Sequence, residues 1–270
     1  MDIGQRDHLK AYGLAFWILG KDINVEWLLN YRGGSFLTDT SPEIEKESRV
    51  RGINYELINA AETISIYGYI EQNNMDVVIL EKAPKIAIYT PPNKQPWDDA
   101  VTLALSYAEV PYETLWDEDV FQGKLENYDW LHLHHEDFTG QYGKFYKNYH
   151  NAVWYKNMEM QFKATAQKYG IVSVHKLKKQ IAVKIRTYIQ NGGFLFAMCS
   201  ATDSFDIALA AENVDIVSTV YDDSPVDPNY QNKLVVDYLD RNFVLEDDIL
   251  KTIKKINKEL NNNIPQVEVF

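Results

Sequence analysis

The chain has 270 residues, 46% of them hydrophobic, enough to bury a sizeable core in one large α/β domain or in a domain with an appendage. A formal net charge of -12 speaks against non-specific attraction to nucleic acid or to an anionic membrane surface. A single cysteine speaks against an internal disulfide framework and any Cys-based zinc cluster, and no apolar run approaches the roughly 20 residues of a membrane span.

The opening MDIGQRDHLKAYG lacks the charged-then-apolar order of a signal peptide. The chain as written is therefore expected to be cytoplasmic, or exported if a leader precedes it. Residues 5–20 carry apolar side chains at helical spacing and end on Gly20, which predicts a first helix. Residues 23–31 have the β-branched and aromatic content of a strand, and Arg32-Gly33-Gly34-Ser35 breaks it. That turn either ends the strand or cradles an anion beside Arg32. Ser41-Pro42-Glu43-Ile44-Glu45 is a helix start, with Ser as N-cap, Pro at the first helical position and acids in the first turn. A short strand over 54–58, a helix over 60–72 and a strand over 75–80 complete an alternation that predicts a parallel sheet with helices on its faces.

A new cycle begins after Glu81-Lys82-Ala83-Pro84: strand 85–89, helix 97–109, strand 111–117. The next stretch, YDWLHLHHEDFT from Tyr128, carries chemistry. Period-two alternation puts His132 and His134 on one strand face, with Leu131, Leu133 and His135 on the other. Glu136 and Asp137 follow. These groups fit metal ligands, a catalytic base with its orienting carboxylate, or polar residues at a sheet edge. Helical patterns cover 149–169 and 174–190, the second carrying Lys176, Lys178, Lys179, Lys184 and Arg186 as a solvated face.

The stretch GGFLFAMCSATDSFDIALAA from Gly192 organises the chain. An apolar run released by two glycines reads as a buried parallel strand, and Thr202 or Asp203 can cap the helix that follows. Cys199 sits at the turn, beyond the carboxyl end of the strand, where open α/β sheets place ligands and a helix dipole favours a thiolate. Three readings stay open. Cys199 is a nucleophile with turn N–H groups as oxyanion donors; or Cys199-Ser200-Ala201-Thr202-Asp203-Ser204 is a phosphate loop of the SGGxDS kind without its glycines; or the turn only connects strand to helix. A short strand over 214–220, an acidic loop and an amphipathic helix over 243–260 complete the chain.

From about residue 84 to 220 the order resembles the class I glutamine amidotransferase-like domain, a flavodoxin-like fold. Tyr128-Asp129-Trp130-Leu131-His132-Leu133-His134-His135-Glu136 stands where that family has its oxyanion strand, and Gly192 to Ala201 where it has its nucleophile elbow, with Cys199 on the nucleophile position. HLKAYG, VEWLLNYRGGSF, QPWDDAVTLAL, YDWLHLHHEDFTGQYGKF and GGFLFAMCSATDS are similar to bacterial proteins, common in Bacteroidetes, labelled asparagine synthetase B. Glutamine-dependent asparagine synthetases use a Cys after the initiator Met and an intact SGGxDS loop. Asp2 and Ala201 stand here instead, so the resemblance implies the amidotransferase-like core rather than asparagine synthesis.

The expectation is a three-layer, mostly parallel, flavodoxin-like α/β protein: an N-terminal α/β segment over 1–82, the amidotransferase-like domain over 83–222, and an acidic loop and helix over 223–270. The family's base lies downstream of the elbow, but no histidine follows His175. The resemblance therefore implies Cys199 as nucleophile, His134 or His135 as base and Glu136 as its orienter, in amide or ester hydrolysis. A non-catalytic alternative binds a small molecule or carbohydrate through His132, Ser200, Thr202, Asp203 and their neighbours. Neither reading assigns a cofactor or a metal; the expected partner is a small molecule, with no nucleic acid and no membrane span.

Overall fold

The computed structural model describes residues 2, 4–92, 100–140 and 146–235. The chain divides into two compact units, residues 1–133 with 188–196, and residues 134–187 with 197–270.

In the first unit α1 (His8–Leu19) starts where Asp7 accepts the N–H of Lys10 at 3.0 Å. It buries Ala11, Leu14, Ala15, Ile18 and Leu19, one helical stripe, against Val25, Ile44 and Ile53. The strand β1 (Val25–Leu29) then turns into β2 (Ser35–Leu37). Asn30, Arg32, Gly33 and Gly34 all have positive φ in that turn, and the chain returns antiparallel. The helices α2 (Pro42–Val50), capped by Ser41, and α3 (Ala60–Glu71), with an Asn59–Glu62 capping box, lead to β3 (Asp76–Leu80). This strand pairs antiparallel with β1, giving the order β2-β1-β3. The parallel sheet expected here is thus an antiparallel one, because a five-residue turn closes a hairpin while a parallel pair needs a long crossover. The strand expected over 54–58 is also absent. Asn54 instead bonds its side chain to the Gly4 carbonyl, its own carbonyl accepts from the Gln5 amide, and Tyr55 and Leu57 face solvent.

The second sheet of this unit comprises β4 (Ile86–Tyr89), β5 (Tyr112–Leu115), β6 (Trp130–Leu133) and β7 (Phe194–Ala197), in the order β5-β4-β6-β7. Here β4 runs parallel to both neighbours. It is central, and Ile86, Ala87, Ile88 and Tyr89 are all buried, the two-sided burial of a parallel strand. The helix α4 (Ala100–Ala108) is described from residue 100; the expected residues 97–99 lie outside the described residues. A short helix not expected from the sequence, α5 (Asp117–Phe121), ends β5 with three acids in its first turn. Mixed α/β architecture with a flanked parallel sheet is therefore established for this half of the protein.

The second unit is helical: α6 (Tyr146–Tyr149), α7 (Val153–Lys168), α8 (Val174–Gln190), α9 (Ser200–Ala210) and α10 (Thr219–Asp222). The basic residues of α8 are not uniformly solvated as expected. Lys178 and Lys179 are buried, Lys178 with its ammonium 4.2 Å from the centre of the Phe162 ring and Lys179 donating to the Val214 carbonyl. Nor is there a strand over 214–220. Asp215 accepts the N–H of Val217 at 3.0 Å and the hydroxyl of Ser224 at 2.7 Å, side-chain bonds that hold 214–218 irregular ahead of α10. The helix expected over 243–260 lies outside the described residues. No described helix is long and apolar enough to cross a membrane.

Candidate functional site

Between the end of β7 at Ala197 and the start of α9 at Ser200, only Met198 and Cys199 turn the chain. Cys199 occupies the N-cap position with φ 52° and ψ -138°. A non-glycine residue in this region stores about 1–3 kcal/mol of backbone strain. The Cys199 carbonyl accepts the Thr202 N–H at 3.3 Å and its hydroxyl at 2.5 Å, and the thiol is exposed. Thr202 and Asp203 lie inside the first turn rather than at the cap, with Asp203 exposed where the helix dipole favours an acid. Ala201, in the first turn of α9, is fully buried.

Facing this turn within the second unit is the segment that follows β6. The strand ends at Leu133, so the alternation expected to place His134 opposite His135 stops one residue too early. In the irregular backbone that follows, the two imidazoles stack on one another at 3.6 Å and 29°. Their backbone is laced to α9. The His134 carbonyl accepts from the Ala201 N–H at 3.2 Å, the His135 carbonyl from the Ser200 hydroxyl at 3.3 Å, and the Glu136 carbonyl from the Ser204 hydroxyl at 2.7 Å. Glu136 turns its own carboxylate back onto the His134 N–H at 2.8 Å. Asp137 closes a small turn by accepting both the N–H and the hydroxyl of Thr139, while Phe138 packs edge-on against Phe205 of α9.

The outcome is a triangle. One ring nitrogen of His134, one of His135 and the Sγ of Cys199 all lie within 4.8 Å of one another, the imidazoles half-buried and the thiol facing solvent. Chemically this is a nucleophile beside two bases, and equally a set of two nitrogen donors and one sulfur donor.

The site residues read from the sequence distribute unevenly around it. Cys199, His134, His135, Glu136, Ser200 and Thr202 come together in the second unit, with Asp203 exposed in the first turn of α9. His132 does not join them. It belongs to the first unit, is fully buried, and shares its Nδ1 with the Phe196 carbonyl at 3.1 Å, a strand-to-strand tie rather than a surface group. Thr139 was not singled out from the sequence, yet with Asp137 and Ser204 it braces the histidine segment. The Asp-x-Thr spacing was the available signal. On the next turn of α9, the Asp206 carboxyl is pushed up, first by burial and then by Asp203.

A second titratable cluster lies in the same unit, away from the triangle in sequence. His175 Nε2 stands 3.4 Å from the Asp215 carboxylate and its Nδ1 3.4 Å from Lys179 Nζ. Burial lowers the Lys179 ammonium to about 8 against the partial compensation of Asp215 and Asp222, and burial with Lys179 lowers His175. This network is internal and ties α8 to Val214 and Asp215.

In comparisons with known proteins, no family model, no curated protein and no solved structure matches the chain.

Proposed function

We propose that the protein is an amidotransferase-like hydrolase of small amides or esters, with Cys199 as nucleophile. The observation that carries the reading is the Cys199 backbone. A non-glycine residue strained at φ 52°, ψ -138° between a strand and a helix is the geometry that lifts a nucleophile clear of the chain, and it is here coupled to two imidazoles within 4.8 Å of the thiol.

In this reading His134 or His135 takes the thiol proton, and the thiolate attacks the substrate carbonyl carbon. A C–S bond forms as the C=O electron pair moves to oxygen, giving a tetrahedral oxyanion that faces the Ser200 N–H, the first amide after the nucleophile. The imidazolium returns its proton to the leaving amine or alcohol as the C–N or C–O bond breaks, leaving a thioester. Water, deprotonated by the same imidazole, hydrolyses the thioester and restores the thiol. Glu136 acts on His134 through the backbone it holds. A non-catalytic binding module on the same surface is favoured by a buried cysteine with histidines elsewhere. The exposed thiol beside both histidines supports the hydrolase instead.

The test is the iodoacetamide reaction rate of Cys199 against pH, with chelator present, in the wild type and in His134→Ala and His135→Ala. Cys199 is the single thiol, so the signal has one source. A rate that plateaus below about pH 7 and loses that limb in one variant is expected. A thiol titrating near the ordinary value of about 8.5 in all three proteins overturns the reading.

A further inference from the structure

The geometry points to a second use of the same triangle: His134, His135 and Cys199 form a binding site for a borderline transition-metal ion, Zn2+ foremost, and the bound ion holds the thiol out of reaction. The inference goes beyond the hydrolase reading and stands without it, since it needs only the donors and their positions.

The donor set selects the metal. Two imidazole nitrogens and one thiolate, with no carboxylate oxygen in the group, suit Zn2+ and copper and do not suit Mg2+ or Ca2+, which take oxygen ligands. The spacing is close to what the ion needs. With Zn–S about 2.3 Å and Zn–N about 2.0–2.1 Å, a tetrahedral ion holds its ligands roughly 3.3–3.7 Å apart. The three atoms here are at most 4.8 Å apart. Rotation of the exposed Cys199 side chain covers the remaining ångström.

The support is in place as well. Each histidine is held at its backbone by a bond to α9, Ala201 to His134 and Ser200 to His135, and the Glu136 carboxylate fixes the His134 N–H. These bonds fix the backbone segment that carries both rings. The rings stack 3.6 Å apart centre to centre, closer than the roughly 5 Å between two imidazoles on one tetrahedral ion, so one ring turns out of the stack as the ion enters. An ion held by three protein ligands keeps a fourth position for water or a small ligand, and Cys199 is exposed to solvent here.

Because metal binding and acylation both use the Sγ lone pairs, they exclude one another. The experiment uses the full chain stripped with chelator and then dialysed. Titration with Zn2+ alone is expected to give one ion per chain, and Co2+ alone a sulfur-to-cobalt charge-transfer band. Cys199→Ser, His134→Ala and His135→Ala each weaken Zn2+ binding by more than the roughly 10–100-fold that loss of a supporting partner costs. In the wild type, where no variant can misfold, Zn2+ slows iodoacetamide alkylation of Cys199 and chelator restores it. Wild-type binding no tighter than that of Cys199→Ser, no sulfur-to-cobalt band, or alkylation indifferent to Zn2+ overturns the proposal. The chelator-treated pH profile tests the hydrolase reading separately, so either can fail alone.

Discussion

Gly13 of α1 lies directly against the carbonyl of Ala108 at the end of α4: a Cβ at position 13 would fall 1.7 Å from that oxygen. The contact is backbone on backbone and has no flexible side chain to yield. Arg51 closes the same spot, its guanidinium donating to the Ala108 carbonyl at 3.3 Å and pairing with Glu109 at 3.0 Å. In most helices Gly13→Ala would stabilise by helix propensity. Here it forces the two helices apart and is expected to cost about 2–3 kcal/mol, the upper range for overpacking. Chemical denaturation of wild type and variant checks this; an unchanged or raised midpoint contradicts the close approach.

The strain at Cys199 predicts an opposition between stability and reactivity. Glycine adopts φ 52°, ψ -138° freely, so Cys199→Gly relieves most of the 1–3 kcal/mol stored there, less the roughly 0.5–1 kcal/mol that glycine's looser unfolded chain costs. The expected net gain is about 1 kcal/mol, with all thiol reactivity lost. Cys199→Ser keeps the strain and shows no such gain. Thermal unfolding of the two variants side by side reads the difference.

Glu136 is a positioning residue in this site. Its Oε2 accepts the His134 N–H, so Glu136→Gln, which retains an acceptor oxygen, is expected to keep the alkylation rate of Cys199 near wild type. Glu136→Ala frees the histidine backbone and lowers that rate roughly tenfold, about 1.4 kcal/mol. Faster hydrogen exchange at the His134 amide in Glu136→Ala alone is the signature that separates positioning from a general loss of fold.

Stability should rise with alkali through Lys179. Its folded pKa is about 8, below the ordinary 10.5, because burial outweighs the pull of Asp215 and Asp222. Between those values the unfolded chain binds more protons than the folded one, so unfolding free energy increases as pH climbs from about 8 toward 10.5. His175, also lowered by burial and by Lys179, adds a rise of the same sign on the acid side of 6.5. Asp222 and Asp206, both raised by burial, work oppositely just above 3.8. Denaturation of wild type and Lys179→Met from pH 7.5 to 10 is expected to show the alkaline rise in the wild type only; parallel curves contradict it.

Much of the local structure was legible in the chain itself. Ser41-Pro42 with its following acids started α2, the apolar stripe of residues 11–19 made α1, and the Val174–Gln190 pattern gave α8 residue for residue. Cys199 at a strand-to-helix turn was legible too, because two glycines, a short apolar run and a helix-forming segment follow in order. These are near-neighbour effects: caps, periodicity and turn chemistry act within a few residues, and sequence records them directly.

What lay beyond that range was decided by tertiary structure. Helical spacing puts Lys178 on the Val174, Leu177, Ile181 and Ile185 stripe, but only the Phe162 ring and the Val214 carbonyl, delivered from other segments, make the burial of Lys178 and Lys179 tolerable. The antiparallel turn of β1 into β2 followed from how the 30–34 turn was used, and His132 left the candidate site because Phe196 arrived beside it. The Cys199–His134–His135 triangle joins positions more than sixty residues apart, brought together by the Ala201 and Ser200 bonds to the histidine backbone. A sequence determines which groups a chain owns and how each short stretch bends. Which of those groups meet depends on long-range packing, since burying a polar side chain is stable only where a partner is waiting.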